Sequence, residues 1–215
     1  MRMNEIKKGS TVPEPTLRRL PWYLAFLKMA AARGEIRISS TQISRAINVS
    51  APQIAKDLSF LEISGKTRIG YDVQSLISVL EEYLGFTKIR KAFLFGVGNL
   101  GAALLHDKGL SQFGLEILAG FDVNPRVVGT TIQGVPVYHI KDYPGIQAKI
   151  DASIGILTVP VREAQKVAEE IIQGGIRAIW NFTPFRIHVP EDIVVQNTSI
   201  YAHLAVMYNR MEAKL

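Results

Sequence analysis

Lys91-Ala92-Phe93-Leu94-Phe95-Gly96-Val97-Gly98-Asn99-Leu100-Gly101 decides the fold, because an apolar strand runs straight into Gly-x-Gly-x-x-Gly and then into a helix-like pattern. Each glycine has a task in such a turn: Gly96 permits the sharp change of direction, Gly98 lets bare backbone approach a pyrophosphate, and Gly101 lets the helix pack closely on the sheet. The helix start offers unpaired N–H groups and the positive end of the macrodipole to an anion. Val97, Asn99 and Leu100 complete the expected binding loop. A second apolar run, Leu115 to Phe121, ends in Asp122 about twenty residues past the last glycine, where a carboxylate accepts hydrogen bonds from the adenosine ribose. That carboxylate repels a 2′-phosphate, so the expected ligand is NAD(H) rather than NADP(H). The competing reading is a glycine-rich connector in some other α/β sheet, and strand, glycines and acid in register argue against it.

Outward from the turn, Ala152 to Pro160 reads as a buried parallel strand ending at the sheet's carboxyl edge, where ligands of open α/β sheets lie. Residues 162–173 read as a helix closed by Gly174-Gly175, and residues 176–182 as the next strand. Thr158, with Val159 and Pro160 after it, and Asn181 are therefore expected to border the nicotinamide or its ribose, although Asn181 is equally placed to cap its own loop. Farther on, Ile200, Leu204, Met207 and Met211 recur at helical spacing, an apolar stripe suited to a dimer contact.

The chain has 215 residues, 47% of them hydrophobic, which is material for one large or two small domains. No apolar run approaches the ~20 residues that span a bilayer. Met1 to Lys8 lacks the apolar core of a signal peptide, so a cytoplasmic location and no membrane partner are expected. There are no cysteines, which excludes disulfides and thiolate-held clusters. His106, His139, His188 and His203 are scattered without metal-ligand spacing, so no metal site is expected. Charge is uneven: residues 1–91 hold 15 Lys and Arg against 8 Asp and Glu, and the remainder 10 against 11. A cationic first domain points to a polyanion, nucleic acid rather than membrane.

The first ninety residues make that more specific. Pro21 to Arg33 has helical spacing, opens at a proline and stops at Gly34. Ile36 to Ile38 reads as a short strand; Ser39-Ser40-Thr41 can cap a second helix with Ile43, Ala46 and Ile47 inward, and Asn48-Val49 makes a tight turn. Ser50-Ala51-Pro52-Gln53 reads as a capping box, with Ser at N-cap, Pro at N1 and Gln at N3, opening a third helix with Ile54, Leu58 and Leu61 inward. Gln53, Lys56, Asp57 and Ser59 fall on its other face. Residues 64–71 read as a glycine-bounded basic hairpin carrying Lys66 and Arg68, and Asp72 can cap a fourth helix. This is the order of a winged helix-turn-helix domain, whose third helix enters the major groove while the wing touches phosphates or the minor groove. Candidate DNA contacts are Arg18, Arg19, Ser50, Gln53, Lys56, Ser59, Lys66 and Arg68, the cations for phosphates and the polar groups for base edges. The expected fold class is thus α/β, with a winged helix over residues 1–85, a Rossmann-type parallel domain over 86–197 and a dimerisation helix over 198–215. No catalytic residue is expected.

Arg19-Leu20-Pro21-x-Tyr23, Val49-Ser50-Ala51-x-Gln53-Ile54-x-Lys56-Asp57-Leu58-Ser59, Gly70-Tyr71-Asp72-Val73, the glycine turn, Phe121 to Pro125, Thr158-Val159-Pro160, Gly175-Ile176, Asn181-Phe182-x-Pro184 and Val189-Pro190 stand in an order and spacing that resembles the Rex family of redox-sensing repressors. The likeness covers nearly the whole chain. It implies a homodimer that holds double-stranded operator DNA when NAD+ predominates and releases it when NADH binds, with the C-terminal helix exchanged between subunits. Four departures stand out: Ala55 where the family usually has Arg, a wing whose second positive charge is displaced by one residue, Thr198-Ser199-Ile200 in place of an Asp-Leu pair of the switch, and Asp107 or Lys108 in place of a loop tyrosine. The alternative class, a small NAD-dependent oxidoreductase, needs an acid–base group beside the nicotinamide, and no Tyr-x-x-x-Lys pair occurs.

Overall fold

In the computed structural model, which describes residues 12–61, 63 and 70–213, the first helix α1 runs from Glu14 to Ala32. It starts at Glu14 after Pro13, not at Pro21, which lies inside it. Pro21 removes one helical hydrogen bond and crowds the preceding turn. The helix tolerates this because Leu20, Tyr23, Leu24, Leu27 and Ala30 are all buried. The chain divides into two units, residues 1–87 and 88–215.

The first unit continues with β1 (Arg37–Ile38), α2 (Ser40–Ile47), α3 (Ala51–Ser59), β2 (Tyr71–Asp72) and α4 (Val73–Leu84). β1 and β2 pair antiparallel, Ile38 opposite Tyr71. The complete capping box belongs to α2, where Ser39 accepts from the Gln42 backbone and the Gln42 side chain returns the bond. Asn48, in the left-handed region at φ 55°, ends that helix, and Ala46, expected inward, is exposed. On α3 only half a box forms: Ser50 Oγ accepts from Gln53 N at 3.4 Å, Pro52 stands at the second helical position, and the Gln53 side chain turns to Asp57. Asp72 caps α4. Ile38, Ile43, Ile54, Leu58, Leu76 and Leu80 close the core against α1.

Asp57, expected on the outer face of α3, is fully buried. Arg19 grips it with Nε on Oδ2 at 2.6 Å and Nη2 on Oδ1 at 2.8 Å, and the Tyr23 hydroxyl donates to Oδ2 at 2.6 Å. Thr16 Oγ1 and Gln53 Nε2 add further bonds to Oδ1. Burial alone pushes the Asp57 carboxyl up, but the bonds from Arg19, Tyr23, Gln53 and Thr16 outweigh it and hold the group at about 2.

The second unit contains β3 (Arg90–Phe95), α5 (Asn99–His106), the short α6 (Gly109–Gln112), β4 (Leu115–Asp122), β5 (Thr131–Ile132), β6 (Val135–His139), α7 (Tyr143–Ile150), β7 (Ile154–Leu157), α8 (Ala164–Gln173), β8 (Ala178–Asn181), β9 (Val194–Asn197) and α9 (Ile200–Glu212). Its sheet runs β5-β6-β4-β3-β7-β8-β9, with every neighbouring pair parallel except β5 and β6. The chain enters at β3 in the middle, winds outward through β4 to β6, then crosses back to β7. Strand order therefore reverses between β3 and β7, the kind of point where ligand crevices open. Side chains alternate along β3: Ala92 and Leu94 pack with Leu105 and Ile156, while Phe93 and Phe95 pack with Phe121, Tyr143 and Ala168 on the other face. α8 begins at Ala164 after a 3-10 turn over Val161–Glu163, slightly later than its sequence pattern suggests. No residue of α9 is buried in the single chain.

Replacing Arg19 by Ala leaves a buried charge without its partner, and denaturant unfolding should show a loss of about 3–5 kcal/mol. Because the folded carboxyl at about 2 lies below its unfolded value of about 4, the wild-type stabilisation is complete above about pH 4 and is lost as pH falls toward 2. An acid titration followed by circular dichroism checks this, and the low-pH loss should be much smaller in Arg19→Ala.

Candidate functional site

Backbone pairing holds the end of β3 from both sides: Gly96 N donates to the Phe121 carbonyl at 2.8 Å, and Thr158 N to the Phe95 carbonyl at 2.9 Å. Gly96 has φ +96°, and a Cβ there would lie 2.8 Å from the Thr158 carbonyl and the Val159 nitrogen, so only glycine fits. A Cβ on Gly101 would run into the Gly96 carbonyl, which places α5 directly on the strand end. Thr158 Oγ1 donates to the carbonyls of Gly96, at 2.6 Å, and Phe95, at 3.1 Å. Gly98, by contrast, is the N-cap of α5, makes no side-chain cap, and has open space where a Cβ would stand. The first N–H groups of α5, on Asn99, Leu100 and Gly101, have no carbonyl one turn back. An uncapped helix start with room above a glycine fits a pyrophosphate.

Asp122 stands beside this turn. Its Oδ2 accepts from Val97 N at 2.6 Å, and its Oδ1 from Val123 N at 2.7 Å and Asn124 N at 2.8 Å. A carboxylate has about four acceptor sites, so one remains for a ribose hydroxyl once these three are filled. Next to it opens a cleft of about 570 Å³, lined by Phe95, Gly96, Phe121, Val159 and Pro160, and by Val123, Ile140 and Val167. His139, Lys141, Arg162, Glu163, Lys166 and Glu170 also line it, and sequence reasoning missed them. Their signal is position: His139 and Lys141 at the carboxyl end of β6, Arg162 and Glu163 in the turn after β7, and Lys166 and Glu170 on the first turns of α8.

Asn181 is buried, and its amide is fully engaged. Nδ2 donates to the Phe185 carbonyl at 2.7 Å and to Asn197 Oδ1 at 2.8 Å, while Oδ1 accepts from Thr183 N at 3.0 Å and Thr183 Oγ1 at 2.8 Å. It ties the loop after β8 to β9.

On α3 the exposed positions are Pro52, Ala55, Lys56 and Ser59, which share one helical face. Gln53 lies half-buried at the edge of that face. Ser59 Oγ donates to the Lys56 carbonyl at 2.7 Å. Arg18 pairs on the surface with Glu14 at 2.6 Å, whereas Arg19 turns to Asp57. Lys66 and Arg68 lie outside the described residues. Arg37 on β1 and Arg45 in the last turn of α2 are exposed cations that sequence reasoning passed over, and their closeness in sequence to α3 is the signal that was available. Among the described residues there is no group of three His, Cys, Asp or Glu able to hold a metal, and no helix long and apolar enough to cross a membrane.

Fold and sites together define a class: a nucleotide-binding Rossmann unit carried on the same chain as a winged-helix DNA-binding unit. Residues 11–59 match the family model described as a putative DNA-binding protein N-terminus, and residues 87–185 that described as a CoA binding domain. The chain is 62% identical to the redox-sensing transcriptional repressor Rex of Bacteroides fragilis, over 95% of its own length and 93% of the relative's. Among solved structures it is similar to RSP in complex with β-NAD+ and operator DNA, with a TM-score of 0.89 and 32% identity over 95% of this chain and 94% of that one. It is similar also to RSP in complex with β-NADH, with a TM-score of 0.84 and 32% identity over 95% and 96% of the two chains. The chain belongs to the Rex family of redox-sensing transcriptional repressors.

Gly98→Ala places a methyl group in the open space above the start of α5, at a backbone conformation open to any residue. Calorimetric titration should show at least a tenfold loss of NADH affinity with the melting temperature changed by no more than a few degrees.

Proposed function

We propose that this protein is a transcriptional repressor that senses the NADH/NAD+ ratio, holding operator DNA while NADH is low and releasing it when NADH binds. The observation that carries the reading is the match, along nearly the whole of both chains, to a relative named as a redox-sensing repressor. The first N–H groups of α5 receive the pyrophosphate above Gly98, within the loop of Gly96, Val97, Asn99, Leu100 and Gly101. Asp122 takes the adenosine ribose, Thr158, Val159 and Pro160 border the nicotinamide end, and Asn181, its amide already engaged, holds the loop after β8. On the other unit, Arg18, Lys56, Lys66 and Arg68 neutralise phosphates, Ser50, Gln53 and Ser59 face base edges, and Arg19 steadies α3. We divide the chain functionally into residues 1–85, 86–197 and 198–215, and place it in the cytoplasm.

Discrimination follows from charge. Oxidised nicotinamide is cationic and costly to bury without a partner, whereas the reduced ring is neutral. A closed apolar pocket therefore prefers NADH, and that differential affinity shifts the population toward a geometry whose two recognition helices no longer match successive major grooves. The second recognition helix comes from a second copy. α9 is 13 residues long and presents Tyr201, Met207, Tyr208 and Met211 to solvent, and an isolated helix of that length is marginal in water. Exchange of α9 between two copies covers that face.

In fluorescence anisotropy, NADH should weaken operator binding at least tenfold while NAD+ does not, and equal binding in both states would defeat the sensing account. The same samples followed for NADH oxidation with candidate acceptors should show no turnover, which separates the repressor from the alternative oxidoreductase. Met207→Asp with Met211→Asp should convert the dimer to monomer in sedimentation velocity and reduce operator affinity by more than tenfold.

A further inference from the structure

The bonds around Asp57 do more than join two helices. Oδ1 accepts from Thr16 Oγ1 at 2.9 Å, Arg19 Nη2 at 2.8 Å and Gln53 Nε2 at 2.8 Å, while Oδ2 accepts from Arg19 Nε and Tyr23 OH, both at 2.6 Å. An ionised carboxylate is an acceptor only. If the Gln53 amide turned over, its Oε1 would face Oδ1 with no proton between them. The nitrogen is therefore held inward and the oxygen is left over. Gln53 sits one helical turn before Asp57, at the edge of the exposed face of Pro52, Ala55, Lys56 and Ser59. Once Asp57 has taken one N–H of Nε2, a single N–H remains beside the carbonyl.

We propose that Asp57 is a positioning residue for sequence readout: it fixes the Gln53 amide so that position 53 offers the groove one acceptor and one donor, and so selects adenine at one base pair of each half-site. The inference rests on the reading of α3 as the groove-entering helix. Adenine presents N6–H donors and the N7 acceptor, the complement of this pair, and cytosine presents only the donor. Guanine O6 and N7 are both acceptors, and thymine O4 is one as well, so each would oppose the Gln53 oxygen. With the carboxyl held near 2, the arrangement persists at any pH at which DNA is bound.

The test selects bound duplexes from a random library with the full chain as wild type, Gln53→Ala and Asp57→Asn, and sequences the bound pools. The wild type should show adenine at one base pair per half-site. Gln53→Ala should lose roughly tenfold of the preference there and keep its preferences elsewhere. Asp57→Asn can donate as well as accept, which frees the Gln53 amide to turn over, so guanine should enter at that same base pair. A role confined to stability would weaken every position alike. Retained adenine preference in Gln53→Ala overturns the proposal, as does a folded Asp57→Asn with the wild-type pattern or with uniform weakening. If Asp57→Asn fails to fold by circular dichroism, Gln53→Ala decides alone. Binding of no duplex by the wild type would remove the groove reading itself, and this inference with it.

Discussion

The contact of Gly101 with the carbonyl of Gly96 is the constraint on which the Rossmann unit turns. It lays α5 directly on the end of β3; a side chain at Gly101 would push the helix off the Gly96 carbonyl, and one at Gly96 would run into the backbone of Thr158 and Val159 after β7. Once the helix lies there, its unpaired N–H groups point to the carboxyl edge of the sheet. Asp122 then reaches Val97 from β4, and Thr158 reaches Gly96 from β7. Three strands are thus joined at the point where strand order reverses, and the uncapped start of α5 is a by-product of that junction.

The winged-helix unit has a node of its own in Asp57. A buried ion pair contributes uncertain net stability, since desolvation offsets much of the attraction, but removing one partner is costly. Its worth here lies in direction. Arg19, Thr16 and Tyr23 all come from α1, so they fix how α3 is seated while its outer face stays clear. The residue at the edge of that face is oriented by the same carboxylate.

Much of this was legible in the sequence, and the failures have physical causes. The glycine turn and Asp122 were readable because their spacing is dictated by local backbone geometry. The left-handed Asn48 and the cap at Asp72 are local signals too. The start of α1 was missed because Pro21 carries the signature of a first helical position, and only tertiary burial lets the helix run through it from Glu14. Asp57 was placed on the wrong face because its donors lie 34 to 41 residues away in α1, where periodicity has no view of them. The capping box at Ser50 was overcalled for a related reason: a buried carboxylate competed with the helix start for the Gln53 side chain, and won. Lys141, Arg162 and Lys166 meet at one cleft only because separate crossovers end at the same sheet edge.

The bare apolar row on α9 has a further meaning if a twin chain is what covers it. Pairing then obeys mass action, so the number of two-headed molecules rises with the square of the free single chains when these are scarce. A lone copy grips one half-site weakly and leaves its own C-terminal helix without support. The abundance of the protein in the cell thus becomes a second input beside the nicotinamide pool, setting how sharply transcription answers to it.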